Sequence, residues 1–146
     1  MPNRRIRIAG IFIQNKSLLL VKHKKNNKEY FLLPGGAQEN GESMTDALKR
    51  EWEEELSVKA SIGECAFIGE SIPPNGVDKN HILQFVFQIK SFSGVLKVNS
   101  DGTLIDFAWI PLINLEKTVL FPDCATQIID FLNNKRPCFY KKYKWI

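Results

Sequence analysis

The stretch from Gly36 to Val58 constrains the chain most, because it crowds seven acidic residues into a run with a helical pattern. On a helix, Glu51, Glu54 and Glu55 fall at i, i+3 and i+4 and share one face. Like charges at that spacing repel, and no basic residue is interleaved there, so a cation or a positive partner must compensate them. Oxygen-only ligands favour a hard divalent metal, Mg²⁺ or Mn²⁺.

The boundaries of this helix can be predicted from its residues. Ser43 is a good N-cap, so the helix should start near Met44. Its buried stripe recurs at every fourth residue, as Met44, Leu48, Trp52 and Leu56.

Charged residues lie around this stripe in an uneven way. Glu51 and Glu55 lie along its edge, where the helix meets the body of the protein, while Glu53 points the other way. Arg50 can reach Glu54 at i+4 and orient its carboxylate. The alternative for that pair is a surface salt bridge of small value.

The rest of the chain is rich in β-type runs. Arg5–Ile13 and Leu18–Val21 predict a hairpin, and His81–Ile89 predicts the central strand of the sheet. Pro34-Gly35-Gly36 stops a strand and predicts a turn, where glycines let the backbone approach a ligand and a carbonyl can bind a metal. A plain tight turn is the alternative. Further elements are expected at Val58–Ile72, Leu104–Ile110 and, as a helix, from about Pro122 to Asn133.

Length and composition narrow the class of protein. The 146 residues fit one domain spanning 1–146, and no stretch is long enough to span a membrane. Three separated cysteines, Cys65, Cys124 and Cys138, argue against a disulfide framework or a zinc site and favour the cytoplasm. The net charge of +4 is spread unevenly, so basic segments could draw a polyanionic ligand toward the acidic stretch. Nucleic acid is possible as a partner without being indicated.

The acidic stretch resembles the signature of the Nudix hydrolases, G-x5-E-x7-R-E-U-x-E-E-x-G-U with U apolar. Two positions are unusual: Trp52 is a bulky choice at an apolar position, and Ser57 replaces the glycine that usually ends the helix in a left-handed conformation. The similarity continues at Phe31–Gly36 and Phe107–Leu112. The matching positions are Gly36, Glu42, Arg50, Glu51, Trp52, Glu54, Glu55 and Val58.

The resemblance implies an α/β/α sandwich with a mixed β-sheet and an enzyme that hydrolyses the pyrophosphate bond of a nucleoside diphosphate linked to another moiety. It implies metal ligands at Glu51, Glu54, Glu55 and the Gly36 carbonyl, with Glu54, Glu51 and Arg50 in catalysis. Glu54 is the first choice of general base. Thr103 stands where some members carry a further glutamate, so Asp101 could substitute. Glu42 is expected to stabilise the loop.

The residues that select the substrate are expected in the loops. Gly35, Asp101 and Asp123 are the predicted substrate-binding residues, and Phe121-Pro122-Asp123 could frame a base. Two other functions stay open: a nucleotide-binding regulatory module without turnover, and an RNA-end pyrophosphohydrolase using the basic, aromatic C-terminal tail. A homodimer also stays open.

Overall fold

Two β-sheets and two α-helices make up most of the part of the chain that the computed structural model describes, residues 3–133 and 139–145. A short 3-10 helix connects the second sheet to the last helix. The elements in chain order are β1 (Arg4–Ile11), β2 (Ile13–Gln14), β3 (Ser17–Lys25), β4 (Lys28–Leu32), β5 (Gly35–Ala37), α1 (Met44–Leu56), β6 (Lys59–Ser71), β7 (His81–Ser93), β8 (Leu104–Pro111), the 3-10 helix (Leu112–Lys117), α2 (Ala125–Leu132) and β9 (Tyr140–Lys142).

The first sheet is mixed and has the strand order β5-β1-β7-β6-β9. Strand β7 runs parallel to β1 and antiparallel to β6, so the prediction that His81–Ile89 lies at the sheet centre is confirmed. Its alternate apolar side chains can therefore pack on both faces of the sheet.

The second sheet contains β2, β3 and β4, with β8 beside β3. The predicted hairpin is only partly present, because Ile13–Gln14 pairs with β3 while β1 belongs to the first sheet. Residues 8–11 of β1 are buried without alternation, which suits a strand between β5 and β7 rather than the half-buried arm of a hairpin. The hairpin turn itself uses Asn15 and Lys16 at φ 52° and 60°.

Two apolar cores lie on the faces of this arrangement and support the sandwich predicted from the sequence. One core contains Leu48, Trp52 and Leu56 of α1, packed on the first sheet. The other contains Ile128 of α2 together with Phe67 of β6. No helix among the described residues is long and apolar enough to cross a membrane.

Helix α1 starts and ends as its sequence predicts. The backbone N–H of Asp46 donates to Ser43 Oγ at 3.1 Å, which caps the N-terminus. Ser57 takes the left-handed conformation, φ 63° and ψ 27°, and its N–H donates to the Glu53 carbonyl. Its hydroxyl donates to Lys97 O at 2.9 Å and accepts from Asn99 Nδ2 at 3.0 Å. These side-chain bonds offset the backbone strain that glycine would avoid.

Trp52 has a structural reason to be larger than the usual apolar residue. Its side chain is fully buried, and its indole N–H donates to the Pro34 carbonyl at 3.0 Å. The N–H of Gly10 donates to the same carbonyl at 3.0 Å. The indole therefore locks α1 to the backbone that leads into β5.

The last helix begins at Ala125, so the prediction that Pro122 lies in its first turn is wrong. The preceding segment is extended, because Phe31 N–H donates to Val119 O and Phe121 N–H donates to Phe31 O, both at 2.9 Å. This pairing with β4 delays the helix and brings the ring of Phe121 to 5.4 Å from that of Tyr30, centroid to centroid. Cys65 and Cys124 are free thiols, while Cys138 lies outside the described residues.

Candidate active site

Arg50 is the centre of the charged network on α1. Its Nη2 and Nε donate to both carboxylate oxygens of Glu42, at 2.7 and 3.1 Å, and Nη2 also donates to Ala37 O at 3.1 Å. Its Nη1 donates to Glu51 at 2.9 Å and approaches Glu54 at 3.4 Å. The predicted contact with Glu54 is present, but the shorter bonds show that Arg50 chiefly orients Glu42 and Glu51.

Glu42 holds the loop between β5 and α1. It accepts from the backbone N–H of Glu39 at 2.8 Å, and its carbonyl accepts from Gln38 Nε2 at 2.9 Å. The hydrogen bonds from Arg50 keep the pKa of Glu42 below its ordinary value. These contacts agree with the loop-stabilising role expected for it.

Glu55 is partly buried, whereas Glu54 is exposed. Glu55 Oε1 accepts the backbone N–H of Gly35 at 3.1 Å. Burial raises the pKa of Glu55 to about 7, with smaller raising effects from Glu51 and Glu54, against the opposing charge of Arg7. Near neutral pH this carboxyl is therefore divided between its protonated and ionised forms.

Arg7 is a second guanidinium at this site, and it was missed by the sequence analysis. Its Nη1 donates to Gln84 Oε1 at 2.7 Å and its Nη2 to Leu33 O at 2.6 Å. Burial lowers its pKa, whereas the charges of Glu55 and Glu51 act in the opposite direction. The signal in the sequence was an arginine close to an apolar run. Because charged and apolar residues alternate over residues 5–8, Arg7 was interpreted as facing solvent.

Gly35 and Gly36 form strand β5 rather than the predicted turn, and neither adopts a positive φ. Both positions need glycine because neighbouring atoms occupy the place that a side chain would take. A Cβ on Gly36 would lie within 2.5 Å of Glu51 Oε2, and one on Gly35 would lie 2.7 Å from the Cα of Ala9. Gly35 thus lets β5 pack on β1, and Gly36 leaves room for the carboxylate of Glu51.

The donor set suits a hard divalent cation, although it is not gathered into one cluster. Within residues 3–133 and 139–145, no three acidic, histidine or cysteine side chains are arranged as a ready metal site. The guanidinium of Arg50 contacts both Glu51 and Glu54, and Glu55 is turned toward Gly35. Of the two expected ways to compensate the acids, a cation or a positive partner, the structure shows the second: Arg50 contacts Glu51 and Glu54, and the charge of Arg7 acts on Glu55. The carboxylate and carbonyl oxygens here are the ligand type that Mg²⁺ or Mn²⁺ prefers.

A groove extends from β5 toward the C-terminal segment. It consists of two hollows of about 220 and 190 Å³ that share Arg7, Leu32 and Ile82. Each hollow is smaller than an ordinary ligand pocket of about 300–1,000 Å³, and the three shared residues make the two hollows neighbours. The first is also lined by Arg5, Ile6, Gly36 and Ala37, and the second by Ser71, Phe121, Pro122, Asp123, Lys144 and Trp145.

The other predicted substrate residues lie at different distances from this groove. Asp123 lines the second hollow, whereas Asp101 is exposed in a turn closed by Leu104 N–H and Asp101 O at 3.0 Å. The segment before that turn contacts α1, since Asn99 Nδ2 donates to Glu54 O at 2.8 Å. Thr103 lies 2.7 Å, Oγ1 to Nδ1, from His23 and supplies no carboxylate.

Comparisons with known proteins agree with this geometry. The model of the NUDIX domain matches residues 4–128. The chain is 31% identical over 113 residues to the ADP-ribose pyrophosphatase of Methanocaldococcus jannaschii, covering 77% of this chain and 64% of that protein. It is 30% identical over 112 residues to the human 8-oxo-dGDP phosphatase, covering 74% of this chain and 32% of that protein.

The fold has matching solved structures. The MutT protein of Methanosarcina mazei superposes with a TM-score of 0.74 at 19% identity, over 91% of this chain and 96% of that one. At that identity the match supports the α/β/α sandwich and nothing further. The chain spans less than two thirds of the length of the two curated relatives.

Proposed function

The chain belongs to the Nudix family, and on that premise we propose that it is a pyrophosphohydrolase acting on a nucleoside diphosphate linked to another group. The observation that carries the proposal is the acidic face of α1, with Glu51 lying against Gly36, at the end of a groove lined by Arg5 and Arg7. Positive charge in the groove attracts the diphosphate, and carboxylates at its end supply metal ligands.

The residues of the helix divide the work by their surroundings. Glu51 is held by Arg50, and its side chain is only 16% exposed, so it is a fixed ligand. Glu54 is 59% exposed and is the least restrained of the three, which suits a group that must take a proton from water. Glu54 therefore remains the first candidate for the general base, because of its exposure rather than because Arg50 holds it.

Enzymes of this family generally use a divalent metal ion. We propose Mg²⁺ or Mn²⁺ at Glu51, Glu54, Glu55 and the Gly36 carbonyl. When bound, such a metal neutralises charge on the phosphates and lowers the pKa of a bound water. The positive charge of Arg7 lowers the pKa of Glu55 and so favours its ionised, metal-binding form. Gly35 N–H orients the Glu55 carboxylate through its hydrogen bond.

The names of the two curated relatives suggest substrate candidates. One is an ADP-ribose pyrophosphatase and the other an 8-oxo-dGDP phosphatase. Both substrates carry a purine base and a diphosphate, which are also the two ends that the groove would accommodate. A nucleotide sugar is the third candidate class.

The test is a panel of ADP-ribose, UDP-glucose, dGTP and 8-oxo-dGDP with Mg²⁺ or Mn²⁺, followed by chromatography of the products. We expect cleavage of the pyrophosphate bond and a loss of at least about 100-fold in kcat for Glu54→Gln. Glu53→Gln is the matched control, since Glu53 is an exposed acid on the same helix. Turnover without metal, or equal activity in Glu54→Gln and Glu53→Gln, would refute this assignment.

The two alternative functions, a regulatory module and an RNA-end pyrophosphohydrolase, predict different results with the same purified protein. A regulatory module would bind these nucleotides without cleaving them. An RNA-end pyrophosphohydrolase would bind single-stranded RNA with a steep salt dependence. The tail offers RNA less aromatic surface than its sequence suggests, because Tyr143 is 3% exposed.

A further inference from the structure

The C-terminal tail is attached to the first sheet through its backbone. Strand β9 pairs in parallel with Ile68–Glu70 of β6. Ile68 N–H donates to Phe139 O at 2.6 Å, and Tyr143 N–H donates to Glu70 O at 2.7 Å. The tail is thus a fifth strand of the sheet rather than a loose extension.

Side chains on both sides of β9 reinforce this attachment. Tyr143 is buried with its ring directly over Gly69, where any Cβ would overlap the ring. The carboxylate of Glu70 accepts from Tyr140 Oη and lies 2.5 Å from His81 Nε2. These contacts fix the direction of the chain as it leaves Tyr143.

That direction leads into the groove. Lys144 and Trp145, the next two residues, line the hollow of about 190 Å³ together with Phe121 and Asp123. Trp145 is 36% exposed, so part of its indole is available to a ligand. Since this hollow shares Arg7, Leu32 and Ile82 with the one at Gly36, a substrate that runs along both hollows would place its far end beside the tail.

We propose that Lys144 and Trp145 form a terminal subsite that selects an aromatic heterocycle at the far end of the substrate. The inference rests on the proposed function for the direction in which the substrate lies. The 190 Å³ of this hollow lies below the range of about 300–1,000 Å³ for an ordinary ligand pocket, so it has room for a flat ring rather than for a whole nucleotide. The indole face stacks on the ring, and the ammonium of Lys144 and the carboxylate of Asp123 contact its polar edge.

The test uses binding in EDTA, so that it does not depend on hydrolysis. AMP and ribose 5-phosphate share a phosphate and a sugar and differ only in the base. We expect the wild-type protein to bind AMP about 10–100-fold more tightly, the range of base–aromatic stacking, as measured by calorimetry. Trp145→Ala and Trp145→Leu should lose most of that preference, while Trp145→Phe should keep much of it.

Phe139→Ala is the matched control, because Phe139 is an exposed aromatic residue of the same tail that does not line the hollow. Trp145→Leu keeps apolar bulk, and circular dichroism and the melting temperature of each variant check that the fold is retained. The proposal is overturned if AMP and ribose 5-phosphate bind equally, or if the preference survives in Trp145→Leu. A preference that depends on Trp145 in a protein that cleaves nothing would refute the proposed activity and leave the subsite standing.

Discussion

Replacing Glu55 by glutamine should change the pH dependence of the stability of the metal-free protein. The pKa of this carboxyl rises from 4.5 to about 7 in the folded state, chiefly through burial. A raised pKa in an acid means that the folded protein binds a proton more tightly than the unfolded chain does. The stabilisation is therefore fully present below pH 4.5 and is lost as the pH rises through about 7.

The size of the effect follows from the shift. At about 1.4 kcal/mol per pKa unit, the whole shift corresponds to about 3 kcal/mol, of which roughly 2–3 kcal/mol is lost between pH 5 and pH 8. Glutamine resembles the protonated acid, and its Oε1 can still accept from Gly35 N–H. Glu55→Gln should match the wild type at pH 5 and be more stable than it by about that amount at pH 8.

The assay is urea unfolding in EDTA at several pH values, since urea leaves electrostatic interactions unscreened. Other titrating groups, such as His23 with its burial-lowered pKa, contribute equally to both proteins and cancel in the difference. Glu53→Gln provides the control for loss of an exposed charge on the same helix. Parallel stability profiles for the wild type and Glu55→Gln would refute the reasoning, because they would mean that Glu55 is ionised without penalty.

Two further predictions concern the packing around this helix. Gly36→Ala should change the free energy of unfolding by less than about 1 kcal/mol, because the displaced Glu51 carboxylate can rotate, but it should lower metal affinity. Gly35→Ala should lower the free energy of unfolding by about 2–4 kcal/mol, because its Cβ meets the backbone of β1. Equal effects of the two in paired melting and metal titrations would contradict this distinction. Arg50→Lys should cost about 1–2 kcal/mol in urea unfolding, since lysine cannot keep both bonds to Glu42 and the bond to Ala37 O. Lys49→Arg, an exposed change on the same helix, should be neutral, and a neutral Arg50→Lys would show that the network adds no stability.

Local signals were sufficient to predict the helix and its two ends. The cap at Ser43, the stripe ending at Leu56 and the left-handed Ser57 depend on neighbours a few residues away. The strand at His81–Ile89 was recognisable from its aromatic and β-branched residues, although Gln84 and Gln88 interrupt the apolar run.

What sequence reasoning could not reach depends on pairing between distant residues. Strand β1 joins β7 through partners such as Arg4 and His81, and no local pattern distinguishes that register from a hairpin with β3. The same long-range pairing places Arg7 opposite Gln84, whose side chain accepts a hydrogen bond from its guanidinium. Gly35 and Gly36 lie in strand β5, where a side chain would collide with β1 or with Glu51 of α1, whereas the sequence alone suggested a turn.

Strand β9 also affects how the molecule meets copies of itself. An unpaired strand edge offers backbone donors and acceptors to any other chain, and β6 would present such an edge at Ile68–Glu70 without the tail. Strand β9 of the same chain pairs with that edge, so a strand of another molecule cannot pair there. The opposite border of the sheet is the three-residue strand β5, too short to make a strong template. The tail thus protects against edge-to-edge aggregation while it lines the groove.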